Sequence, residues 1–272
     1  MAESAAKNAR FKAQVRYTFI ERADHTAEPP PMARMLRGGG RGGQVRLKLY
    51  LSYLWLQKDD TARELSIRHS AWANLLDLRD PDKAGARRIS EAHTWLEENG
   101  FIEITKGPRL NLVTVLDETG RGEPWIAPGA AAKKEKESNI LGALVNRYIQ
   151  IPRAFWTNGH ISVLSGAGVA MYLALLSEKG GLDGEDLWFS PKEAVSRFAL
   201  SEDTRSKGLR ELADAGLIST KRRPVNQTDF MAEALHMRNV HILNPERLNE
   251  TAAIVPKRVV KIPATRIDSA DD

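Results

Sequence analysis

The strongest constraint on this chain is that it contains the same phrase twice. Leu96 and Leu212 stand 116 positions apart, and in that register Ser90 meets Ser206, Ala92 meets Gly208 and Glu98 meets Asp214. The match continues with Gly100 on Gly216, Ile102 on Ile218, Lys106 on Arg222 and Pro108 on Pro224. Upstream, Leu76 and Leu78 meet Phe198 and Leu200 at a spacing of 122. The six-residue difference is the length of RDPDKA, Arg79 to Ala84, so one insertion in one turn reconciles both registers. Recurring leucines alone arise by chance. Glycine, a basic residue and proline recurring with them mark a duplicated structural unit.

The local signals inside each copy agree. In the first, Val45, Leu49, Tyr53 and Leu56 recur at helical spacing, and Leu47, Leu51 and Leu54 widen the stripe into a buried helix. A short helix over Ser70 to Leu78 follows, then RDPDKA as a turn, because proline disfavours helix at the residue before it. A third helix, GARRISEAHTWLEEN, stops at Asn99-Gly100, and FIEITK and RLNLVTVL read as two strands around a Gly107-Pro108 turn. In the second copy, YIQIP is strand-like, Ser165 caps a helix to Lys179, and DLWF is a short strand. Ser190-Pro191 with Glu193 is a helix-start signature, and SEDTRSKGLRELADAG stops at Gly216 before the strands LISTKRR and MRNVHIL.

The expected class is mainly α with small β-hairpins (α+β). The expected layout is a flexible basic arm over 1–43, a first domain over 44–117, a linker over 118–146, a second domain over 147–248 and a flexible tail over 249–272. The arm is assigned from its proline triplet, Pro29 to Pro31, and the RGGGRGG run, where dense glycine opposes helix. Arg34, Arg37 and Arg41 could then lie along phosphates. The linker is assigned from its Gly, Pro and Ala content and alternating charge. No apolar run reaches the roughly 18 residues of a membrane span, and the first residues lack a signal-peptide core. The absence of cysteine excludes thiol chemistry and suits a cytoplasmic, nucleoid-associated setting. A net charge of +5 permits a polyanionic partner without requiring one.

The order helix, helix, helix, strand, turn, strand resembles the winged-helix branch of the helix-turn-helix proteins. The phrases RRISEAHTWLEENGFIEI and SEDTRSKGLRELADAGLISTKRR resemble its third helix running into the first wing strand. That resemblance implies two such domains binding double-stranded DNA, with the third helix in the major groove and the wing on flanking backbone. It implies a transcription regulator, plausibly a homodimer on an inverted repeat. The alternatives are a plasmid or mobile-element replication initiator, or an interaction module that does not read DNA. Transcription or replication machinery is the implied further partner.

Helical geometry at about 100° per residue sorts the third helices. Ile89, Ala92, His93 and Leu96 point inward, while Arg87, Ser90, Glu91 and Thr94 face outward with Arg88 at the edge. Arg87 and Arg88 suit guanine, and Lys83, Arg63, Arg68, His69 and the wing residue Lys106 suit phosphates. In the second copy the outward face offers Asp203, Thr204, Lys207, Arg210 and Glu211, and Lys221, Arg222 and Arg223 lie on the wing strand. Arg205 takes the inward place of Ile89, where its head must snorkel or pair. Glu202 and Asp203 suit the helix start but repel phosphate, so the first domain is the expected principal reader.

No enzyme, metal or cofactor is expected. The six histidines have no metal spacing, with His236 and His241 on opposite strand faces and His93 at a core position. GGGRGG lacks a phosphate-loop Lys-Ser/Thr, Gly166-Ala167-Gly168 lacks a third glycine, and no Gly-x-Ser-x-Gly elbow occurs. Tyr148 and Tyr172 lack the histidine pairs that a strand-transfer nucleophile would want. Trp55, Trp72, Trp95, Trp156 and Trp188 read as core anchors.

Overall fold

The computed structural model describes residues 6–7, 9–22, 24, 27–37, 42–136, 145–179, 186–224 and 237–253. It is mainly helical with small antiparallel two-stranded sheets. An entry segment comprises β1 (Lys12–Arg16), α1 (Tyr17–Ile20) and α2 (Pro31–Leu36). The first repeat follows as α3 (Gly42–Leu56), α4 (His69–Leu75), α5 (Ala86–Glu98), β2 (Ile102–Thr105) and β3 (Leu112–Val115). Between the repeats lie α6 (Pro128–Lys136), β4 (Tyr148–Pro152), α7 (Ala154–Thr157) and α8 (His160–Val163). The second repeat is α9 (Gly166–Lys179), α10 (Pro191–Phe198), α11 (Glu202–Asp214), β5 (Ile218–Pro224) and β6 (Met237–Leu243).

The repeat read from the sequence is present in the backbone. Leu65 bridges Val113 and Leu187 bridges His241, so each hairpin gains an outer contact from residues 122 positions apart. Asp77 and Ala199, also 122 apart, both end the second helix in the left-handed region, at φ 50° and 52°. Gly100 and Gly216 stop the third helices at φ 72° and 73°, a conformation that costs glycine nothing. The amide of Phe101 then bonds the Leu96 carbonyl at 2.9 Å, and that of Leu217 bonds Leu212 at 2.9 Å. At Ser190 the cap bonds run both ways, Glu193 N to Ser190 Oγ and Ser190 N to the Glu193 carboxylate. RDPDKA is not a simple turn: after Asp80 at φ 50°, Pro81–Gly85 form a π-helical turn leading directly into α5.

Two expectations about order are corrected. The 1–43 segment contains β1, which pairs antiparallel with β4 from Lys12↔Pro152 to Arg16↔Tyr148. Its Val15, Phe19, Ile20, Met32 and Met35 are fully buried. The proline triplet that suggested disorder instead starts α2, with Pro31 in the first turn, where a missing N–H costs nothing. Arg34 is not free to lie along phosphates, since it donates to the Thr119 carbonyl at 2.6 Å and stacks over Phe101. Arg37 is exposed, and Arg41 lies outside the described residues.

The expected linker likewise reaches the core, at Glu118, Trp125 and Ala127. Trp125 is 2% exposed and Glu118 is fully buried. Glu118 pairs with Arg16 of β1, whose Nε donates to Asn146 at 2.9 Å and whose Nη2 donates to the Ile126 carbonyl at 2.7 Å. Burial pushes the Glu118 carboxyl up while the guanidinium pulls it back. The remainder of the expected linker, 137–144, and the tail from 254 lie outside the described residues.

One continuous apolar core joins the repeats. Both α3 and α9 are apolar nearly all round, which suits helices covered on every side. Gly166 sits where a Cβ would meet Leu36 and Gln44 within 2.9 Å. Trp55 stacks on Trp156 at 5.0 Å, and the Trp156 indole donates to Ser52 Oγ at 3.0 Å. Lys48, 3% exposed, donates to the Ser162 carbonyl at 3.0 Å, and its burial lowers its pKa to about 8. Trp55, Trp72 and Trp156 are core anchors as expected, and Trp95 is half-buried. Trp188 is not, being 38% exposed beneath the Arg238 guanidinium. No helix among the described residues is long and apolar enough to cross a membrane.

Candidate nucleic-acid interface

In α5 the 3.6-residue period decides which side chains are available. Ile89, Ala92, His93 and Leu96 are buried, and Arg87, Ser90, Glu91 and Thr94 are exposed, with Arg88 half-buried at the edge. Arg87 holds Glu91 at 2.9 Å, but both heads are largely in water, where such a pair is worth about 0.3–0.5 kcal/mol. A phosphate or base edge can displace it at little cost. Thr94 Oγ1 returns its hydrogen to the Ser90 carbonyl at 3.2 Å, leaving lone pairs outward. Lys83, on the π-helical turn before α5, and Lys106, after β2, are exposed. The structure therefore gathers Lys83, Arg87, Ser90 and Thr94 along one helix face and its approach.

The inner side of α5 carries a chain of polar groups that periodicity alone does not explain. Tyr53 of α3 touches His93 Nε2 at 2.5 Å, and His93 Nδ1 touches His69 Nε2 at 3.1 Å. His93 is held neutral by burial, which lowers its pKa to about 3, with His69 pushing the same way. The sequence places His93 in the core correctly. It gives no signal that His69, expected on phosphate, is hydrogen-bonded to it.

In α11 the face is more committed. Arg205 snorkels as expected: its head pairs with Glu202 at 3.1 Å and lies 6.0 Å from the Phe189 ring. Thr204 is half-buried, with its amide and hydroxyl both engaged by the Ser201 cap. Glu211 is not an outward residue. Its carboxylate accepts the Ser165 amide at 3.0 Å, at the start of α9. Close packing explains the turn inward, because a Cβ on Gly208 would meet the Ala167 carbonyl at 2.4 Å. Lys207 and Arg210 remain exposed, as does Asp203. On β5, Lys221, Arg222 and Arg223 are exposed, and Arg223 is tethered to Asp186 at 3.0 Å.

The buried Lys48 ammonium feels both Arg88 on α5 and Glu211 on α11. Arg109, in the turn between β2 and β3, is an exposed cation that the helical and wing patterns do not single out. Its one signal in the sequence is its place beside Gly107-Pro108 at a hairpin tip. Among the described residues no three His, Asp or Glu side chains converge as a metal site, and His236 lies outside those residues. Tyr172 is 4% exposed, and burial raises its pKa above the phenol range. No protein-family model, curated protein or solved structure matches the chain.

Proposed function

We propose that the chain binds double-stranded DNA through two winged-helix units, with the first as the sequence reader and no catalytic role. The observation that carries this reading is the face of α5. It shows Arg87, Ser90 and Thr94 to solvent on a helix fixed from behind by Ile89, Ala92, His93 and Leu96. Each unit also repeats helix, outer bridge, helix, helix and hairpin. An arginine held bidentate on guanine O6 and N7 contributes about 1–3 kcal/mol of base discrimination. The exposed cations on the hairpins, Lys106, Lys221 and Arg222, would set register on phosphates without reading sequence. The continuous core between the units favours a single composite surface over two independently tethered readers. Such a surface serves a transcription regulator or a replication initiator equally.

The test is selection of sheared genomic DNA on purified protein, followed by sequencing. Recovered fragments sharing a motif are expected, at promoters for a regulator and beside clustered repeats for an initiator. Even recovery that vanishes as salt rises would leave only backbone electrostatics and overturn sequence reading. No recovery at all would favour an interaction module, the reading that the acidic start of α11 supports.

A further inference from the structure

A cleft of about 420 Å³ opens between the starts of α4 and α5 and the tip of the β2–β3 hairpin. His69 and His93 form part of its wall, Arg68 and Arg109 its rim, and Asp82 is its one carboxylate. Neither arginine is paired with an acid among the described residues, so the rim carries a net positive charge.

The hydrogens in the wall are ordered by the chain behind it. The Tyr53 hydroxyl is buried, and among the described residues its one acceptor is His93 Nε2 at 2.5 Å, so it gives its hydrogen there. His93 must then carry its hydrogen on Nδ1, which it donates to His69 Nε2 at 3.1 Å. That leaves His69 with its hydrogen on Nδ1, a donor that no acceptor among the described residues takes.

We propose that this cleft is a phosphate-binding site, in which His69 Nδ1–H and the Arg68 and Arg109 guanidinium groups hold the phosphate oxygens. Two planar arginine forks and a preset imidazole donor suit a tetrahedral oxyanion, and the volume leaves room for its ester substituent. The DNA-binding reading enters only as the source of that phosphate, duplex backbone or free ester. Asp82 would take a sugar or base hydrogen rather than the anion.

The experiment is nitrogen NMR of the histidine rings in the full chain, titrated with inorganic phosphate at constant ionic strength and then with a mixed-sequence duplex. A saturable shift of His69, followed by His93, is expected with phosphate. In Arg68→Gln/Arg109→Gln, whose substituted side chains are exposed and do not support the core, its midpoint should rise at least about tenfold. Absence of a saturable shift with both probes, or an unchanged midpoint in the double variant, would overturn the site. Duplex that binds without moving His69 would also overturn it while leaving DNA binding intact. Phosphate that shifts His69 in a protein unable to bind any duplex would support the cleft and sink the DNA reading. If both probes shift His69 and compete, the phosphate is supplied by the duplex backbone.

Discussion

The two third helices have the same length and the same glycine stop, yet their polar faces are spent differently. In α5 the outward Arg87 and Thr94 are engaged within their own helix, by Glu91 and by the Ser90 carbonyl. In α11, Glu211 caps another helix, Thr204 serves its own cap, and Arg205 is held by Glu202. A duplicated unit thus keeps its backbone while its side chains divide between an open polar face and internal cohesion. The residue that tips this division is Gly208. The missing side chain lets α11 sink onto α9, whereas its counterpart Ala92 keeps a methyl between α5 and the core.

The largest effect is expected from the pair that holds the entry segment. Glu118→Ala leaves the Arg16 guanidinium buried without its carboxylate and should cost about 3–5 kcal/mol in denaturant unfolding. Hydrogen exchange should rise in β1 and β4 before it rises in α11, and uniform opening would show that the two repeats do not differ in this support. Arg87→Ala/Arg88→Ala should weaken specific duplex binding by about 1–3 kcal/mol for each base that these arginines read. Thr204→Ala/Lys207→Ala should lower affinity much less, and equal losses by fluorescence anisotropy would erase the contrast between the helices. Gly208→Ala should destabilise the chain by about 1–3 kcal/mol through overpacking, while Ala92→Gly should cost nearer 1 kcal/mol. A neutral Gly208→Ala would mean that α11 can lift away and resemble α5.

The effect that is smallest at neutral pH is a slope. Burial holds His93 neutral in the fold, whereas in the unfolded chain it takes a proton below its ordinary pKa near 6.5. Its folded pKa is the lower one, so its contribution is complete above pH 6.5 and is lost as pH falls toward about 3. Stability should decline over that window by up to about 1.4 kcal/mol per pH unit for this group. His93→Gln should flatten the decline, and a slope unchanged by that substitution would place the proton uptake elsewhere, with His241 of the second repeat the next candidate.

Much of this was legible in the chain because it is local. The inward and outward residues of α5, the Ser190 capping box, the two glycine stops and both hairpins follow from spacing over a few residues. What stayed hidden was long-range. Nothing near Lys12 announces that its strand partner begins 136 positions later at Tyr148. Pro29 to Pro31 carry composition typical of disorder, and only tertiary burial of Phe19, Met32 and Met35 overrides it. The same holds for the site. Helical phase exposed Arg87 but could not tell that Glu211 would be captured by the Ser165 amide, nor that His69 and Arg109 would meet across one cleft.

The pairing of β1 with β4 also sets the order in which the chain can finish folding. When Val15 leaves the ribosome, the strand that completes its sheet has not been made, and at about 5–20 residues per second it arrives on the order of ten seconds later. By the end of that interval the first repeat has its own helices and hairpin but still lacks one flank of its cover. Closing a loop this long adds little equilibrium cost, since closure entropy grows only with the logarithm of length. The burden is kinetic: a nascent chain exposing Val15, Phe19 and Ile20 must be kept from other chains until Ile149 and Ile151 emerge.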